Sequence, residues 1–225
     1  MNAASVVWQF GPLGISSAVV TTWVLMAALT ATSWAITRRL RLGPDRWQSM
    51  LEGVVLAMLD AIESILPDGA AALLPFIGTL WLFLVAANLV GLIPELHSPT
   101  AELSVTAALA LLVFGASHWF GIRSDGLRRY LRHYLSPNPL LLPFNLVSEL
   151  TRTLALAVRL FGNMMSLELA ALLVLLVAGL LVPVPLLLLH VIEALVQAYI
   201  FGVLALVYIA GGIESQPHAD GEPGP

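Results

Sequence analysis

Asp, Glu, Lys and Arg are absent from residues 1–37, 69–94, 103–122, 169–192 and 194–213. Each run approaches or exceeds the ~20 apolar residues that carry a helix across a ~30 Å hydrocarbon core. The pattern predicts an all-α integral membrane protein with about five spanning helices, near 13–37, 71–93, 103–122, 146–177 and 186–212. No soluble domain interrupts them, so residues 1–225 read as one membrane domain. The proline-rich stretches "SPNPLLLPFN" (136–145) and "GLLVPVP" (179–185) break the helical pattern before each of the last two spans. The first run has no basic n-region and no convincing small-residue cleavage site, and its apolar part is too long for a signal-peptide core, so it is expected to be a retained span.

A different period governs residues 45–66. Trp47, Met50, Leu51, Val54, Val55, Met58, Leu59, Ile62 and Ile65 fall on one helical face, with Asp45, Ser49, Glu52, Asp60 and Glu63 on the other. This predicts an amphipathic helix lying along the inner membrane surface.

Composition sharpens the picture. The chain is 59% hydrophobic and 11% charged, against roughly 25% charged in soluble domains. It has no cysteine, which excludes disulfides, thiolate metal sites and a cysteine nucleophile. No glycine-rich phosphate loop, nucleophile elbow or HExxH motif occurs, so no nucleotide, metal or other cofactor site is expected. All ten basic residues are arginines, and eight form two clusters: Arg38, Arg39, Arg41, Arg46, and Arg123, Arg128, Arg129, Arg132. Short basic loops stay on the cytoplasmic side. The N-terminus is therefore expected outside and the tail, 213–225, in the cytoplasm. That topology accounts for the clusters without invoking nucleic acid.

Polar residues in the last two spans carry the chemistry. They are Glu149, Arg152, Arg159, Asn163, Glu168, His190, Glu193 and Gln197. A charge at mid-bilayer costs about 2.5–3.5 kcal/mol even on insertion scales, and such residues mark ion pathways. At 100° per residue, His190, Glu193 and Gln197 form one stripe, Arg159 and Asn163 lie roughly 40° apart, and Glu168 faces roughly opposite Arg159. Glu149 and Arg152 are spaced as an i, i+3 pair. The helix from Glu149 to about Leu176 spans roughly 42 Å, so it must tilt strongly within a ~30 Å core.

"RLFGNM" (159–164), "VQAYIFGVLALVYIA" (196–210), "NLVGLIP" (88–94), "SPTAELSVT" (98–106) and "PFNLVSELTRTLALAV" (143–158) together resemble subunit a of the F-type ATP synthases. The resemblance covers most of the chain from Trp47 to Ile213. It implies a non-catalytic stator subunit beside a ring of c subunits, with peripheral-stalk subunit b as a further partner, in a bacterial inner membrane. Arg159 then matches the essential arginine facing the ring carboxylate. Asn163, Glu168, His190, Gln197 and Asn88 match an outer half-channel, joined by Glu193 one turn from His190. Glu149 matches an inner half-channel, with Arg152 beside it. Arg152 and Thr153 stand where many members have Lys-Pro, and Glu102 where aspartate is common.

The implied mechanism explains an arginine inside an apolar run. A ring carboxylate in lipid is protonated, because desolvation disfavours its charged form. Beside a guanidinium, which keeps its own proton, the carboxylate releases its proton. Two offset half-channels then force ions to ride the ring. Rival readings are a sodium-translocating version of the same subunit and, further off, an unrelated secondary transporter. A transporter would show repeated halves, and no repeat is present.

The pattern also predicts a register for the last two helices, since antiparallel residues at equal depth have position numbers of constant sum. Glu168 with His190 gives 358, and both Arg159 with Gln197 and Asn163 with Glu193 give 356. The turn is expected near Ala178–Gly179.

Overall fold

The computed structural model describes residues 6–10, 13–38, 46–67, 69–93, 96, 98–126, 142–178 and 183–214. The arginines at 39, 41, 128, 129 and 132, the turn between the last two helices and the tail after Glu214 lie outside the described residues. Two strands, β1 (Val6–Phe10) and β2 (Leu13–Ser16), form an antiparallel hairpin. Six helices follow: α1 (Ser17–Thr37), α2 (Arg46–Glu63), α3 (Ala70–Val90), α4 (Leu103–Asp125), α5 (Leu142–Ala178) and α6 (Pro183–Glu214). A single 3-10 turn, Pro99–Ala101, leads into α4. Five helices are long and apolar enough to cross a membrane: Ser17–Thr37, Ala70–Val90, Leu103–Ser124, Pro143–Val174 and Pro185–Ile213. The chain is an all-α integral membrane protein but for the short hairpin.

The hairpin corrects the expected first span, which began at Leu13; the helix begins at Ser17 instead. Apolar content could not distinguish strand from helix here, although Gly11-Pro12 is a turn-forming pair. The last two helices start earlier than the prolines suggested, at Leu142 and Pro183. Proline is tolerated in a first helical turn, where its missing N–H has no intrahelical acceptor. Both helices are long: 37 residues in α5 and 32 in α6, or ~55 and ~48 Å.

Helices α3 to α6 form the packed bundle. Its core is built from Leu73, Ile77 and Leu84 of α3, Val113 of α4, Leu156, Leu160 and Met164 of α5, and Phe201, Leu206 and Ile209 of α6, all essentially inaccessible. Helix α1 buries only Ala18 and α2 only Ile62. Trp47, Met50, Leu51, Val54 and Val55 on α2 stay exposed, as suits an amphipathic helix with an apolar environment to meet.

The tightest approach joins α3 to α6. The Trp81 indole stacks on Tyr199, with centroids 6.0 Å apart, and donates to the Tyr199 carbonyl at 3.3 Å. A Cβ at Gly202 would overlap that indole. Gly202→Ala is therefore expected to destabilise the purified protein by about 1–3 kcal/mol, the usual range for overpacking. Trp81→Phe, with a smaller ring, should relieve part of the loss. Thermal unfolding in detergent measures both, and an unchanged midpoint for Gly202→Ala alone would contradict the packing.

Candidate functional site

Polar side chains gather at three levels along the bundle. At the first, where α3 gives way to α4, Asn88 is fully buried. Its Nδ2 donates to the Ala194 carbonyl at 3.1 Å, and its Oδ1 accepts from Thr100 Oγ1 at 2.8 Å. Ser98 Oγ donates to the Ala87 carbonyl at 2.9 Å, while the Ser98 backbone N–H donates to Glu168 Oε1 at 2.8 Å. A Cβ on Gly91 would press on Ser98 Cβ at 3.2 Å and reach Glu168 Oε1 at 3.4 Å, so glycine lets the loop close over the carboxylate. His190, 4% exposed, places Nε2 3.3 Å from the Asn88 carbonyl. Glu102 Oε2 accepts from Ser16 and Ser104 hydroxyls, both at 3.2 Å, tying the end of β2 to the start of α4.

At the middle level α5 meets α6. Asn163 Nδ2 donates to Gln197 Oε1 at 2.6 Å. Gln197 is 2% exposed, and its Nε2 donates to nothing among the described residues. Glu193, half-buried one turn away, makes no hydrogen bond among them either. Arg159 differs from all of these. It is exposed, as are Ala155, Val158, Gly162 and Ser166 on the same outward face. It makes no hydrogen bond or ion pair among the described residues.

The third level lies toward the opposite end. Glu149 Oε2 sits 3.4 Å from His118 Nε2 on α4, and the Arg152 guanidinium lies 5.9 Å from the Tyr208 ring centroid on α6. A cavity of about 40 Å³ opens between them, its polar lining being Ser117, Glu149, Arg152, Thr153 and Tyr208. That exceeds the ~10–15 Å³ one water requires. Glu149 and Arg152 each reach a neighbouring helix, His118 on α4 and Tyr208 on α6. Along α5, Glu149 lies ~15 Å from Arg159 in one direction and Glu168 ~13.5 Å in the other, at 1.5 Å per residue.

The family described as ATP synthase A chain matches residues 19–210. Similar relatives include "ATP synthase subunit a 2" of Pelobacter propionicus, 61% identical over 96% of this chain and 94% of that protein. "ATP synthase subunit a 1" of Hahella chejuensis is 62% identical over 92% of this chain and 89% of its own. "ATP synthase subunit a" of Legionella pneumophila (strain Corby) is 55% identical over 92% and 91%. The chain belongs to the ATP synthase A chain family.

Within this family member the register differs from the one expected. Asn163 pairs with Gln197, and Arg152 stacks near Tyr208; in each case the position numbers sum to 360. The sequence arithmetic paired Gln197 with Arg159 and Asn163 with Glu193, a slide of one turn, or ~6 Å. The expected register rested on Glu168 sharing a level with His190 and on polar residues of the two helices facing each other, whereas Arg159 points out of the bundle. Glu168 likewise bonds the α3–α4 loop and not His190.

Ser98, Thr100, His118 and Tyr208 were not anticipated as site residues. Ser98 and Thr100 lay in a segment already singled out, "SPTAELSVT", and His118 is the one titratable side chain in the run 103–122. Periodicity names such residues without saying what they meet. In a chain without native cysteine, cysteine pairs can test the register. Pairs summing to 360, such as 156 with 204, should cross-link more readily than pairs summing to 356, such as 156 with 200. The reverse preference would contradict the register.

Proposed function

We propose that this chain is the stator subunit of an F-type ATP synthase that carries protons to and from c-ring carboxylates through two offset half-channels. Arg159 carries the reading. It stands exposed, with no partner among the described residues, in the middle of a 37-residue membrane helix, where a charge without a counter-charge costs several kcal/mol. An acidic group from a neighbouring subunit resolves that cost, and the outward-facing Ala155, Gly162 and Ser166 leave room for a helix to approach.

The polar levels on either side supply the two routes. Asn88, Asn163, Glu168, His190, Glu193 and Gln197 line the outer half-channel; Glu149 and Arg152 line the inner one. A carboxylate turning out of lipid arrives protonated and loses its proton beside the guanidinium, which favours the charged form. Because the guanidinium holds its own proton, it does not pass one across, and flux is coupled to rotation. Each proton crossing 100 mV carries about 2.3 kcal/mol. The N-terminus lies outside, the tail in the bacterial cytoplasm, α2 along the inner surface, and subunit b completes the membrane sector.

Arg159→Ala should abolish ATP-driven proton pumping in membranes where the subunit still assembles. Arg159→Lys should not restore it, because a point charge replaces a planar fork. Normal pumping by Arg159→Ala would sink the reading.

A further inference from the structure

The tautomer of His118 has a consequence for proton exchange. His118 Nδ1 lies 2.9 Å from the Phe114 carbonyl oxygen, which can only accept. The Ser117 hydroxyl, 3.3 Å from the same nitrogen, already donates to that carbonyl at 2.8 Å. Nδ1 therefore carries a hydrogen. The ring is also held by its neighbour Phe114, with centroids 4.3 Å apart. In neutral imidazole this leaves Nε2 with a lone pair, 3.4 Å from Glu149 Oε2. An unprotonated nitrogen and a carboxylate oxygen repel; one proton between them makes the contact attractive.

We propose that His118 and Glu149 form a one-proton exchange site at the inner end of the ion path. This rests on the function proposed above and adds His118 to it. The proton resides on Nε2, as imidazolium facing carboxylate, or on Oε2, as carboxylic acid facing imidazole. Transfer breaks one N–H bond as one O–H bond forms, and exchange with water returns the proton to the solvent. Imidazole can carry a proton at Nε2 while Nδ1 keeps its own. Water has a place in the adjoining cavity of about 40 Å³. Both side chains keep part of their surface in solvent, 30% and 28%, while Oε2 itself is buried beside the cavity. Among the described residues, the other groups near the pair are Arg152 on α5, Tyr208 on α6 and Arg123 farther along α4; α3 meets α4 here through the apolar Phe76–Phe120 contact. The arrangement differs from a simple helix-to-helix latch, for which any donor at position 118 suffices.

His118→Gln makes that distinction, since its amide can still donate to Glu149. Membrane vesicles with the assembled complex are compared for ATP-driven quenching of a pH-sensitive acridine dye, over a series of inner-side pH values. The expected result is a fall of about tenfold or more, within the range of acid–base assistance, with normal assembly and loss of the wild-type pH dependence. Wild-type flux with a wild-type pH profile overturns the proposal. If His118→Gln does not assemble, Glu149→Gln takes its place, because its amide donates to Nε2 and keeps the contact. Loss of flux in that variant supports the site, and wild-type flux overturns it. Arg159→Ala is measured in parallel. Pumping lost there but retained in His118→Gln removes only this inference; pumping retained in Arg159→Ala removes the function on which it rests.

Discussion

A charge held inside an apolar helix must be neutralised by something, and among the described residues no group of this chain does so. Arg159 projects from the bundle with no partner among the described residues. Most of the surrounding polar groups are arranged the other way, closed inward by neighbours. Asn88, Ser98, Thr100 and Glu168 satisfy one another across α3, the loop and α5. Asn163 and Gln197 close the middle level. Polar groups in a low-dielectric interior are costly when unpaired and strongly held when paired. The inward networks therefore fix the helices, and the outward guanidinium leaves the fixed bundle with an exposed charge on that face.

The networks also explain how very long helices keep one register. Helix α5 runs well beyond the ~30 Å of a hydrocarbon core, and apolar packing alone tolerates sliding because lipid is as apolar as leucine. Hydrogen bonds at Asn163–Gln197 and Ser98–Glu168 sit on different sides of α5, toward α6 and toward the loop. A slide of one turn would break both. Gly202, closed over by Trp81, adds a steric stop between α3 and α6.

Much of this was legible in the sequence. Gaps between charges located the first three spans, because charge exclusion from hydrocarbon is the strongest pattern in a membrane chain, and the proline breakers separated the last two. Helical arithmetic placed Glu168 opposite Arg159, and Glu168 does turn to the loop while Arg159 faces out. Arithmetic within one helix needs only the 100° step. Partners between helices need the packing as well, and there the reading failed. His118 and Glu149 are separated by 31 positions, Ser98 and Glu168 by 70, and no periodicity links them. The β1–β2 hairpin was missed because a short apolar run satisfies strand and helix equally.

The outward face of α5 can be tested directly in the assembled complex. Gly162 lies on the Arg159 face with no atom near its Cβ position, and the subunit has no native cysteine. A cysteine at 162 should form a disulfide with a cysteine one turn from the ring carboxylate on subunit c, while a cysteine at Phe161, turned toward the other side of α5, should not. Cross-linking at 161 in preference to 162 would mean that Arg159 does not face the ring, and the account would fail at its centre.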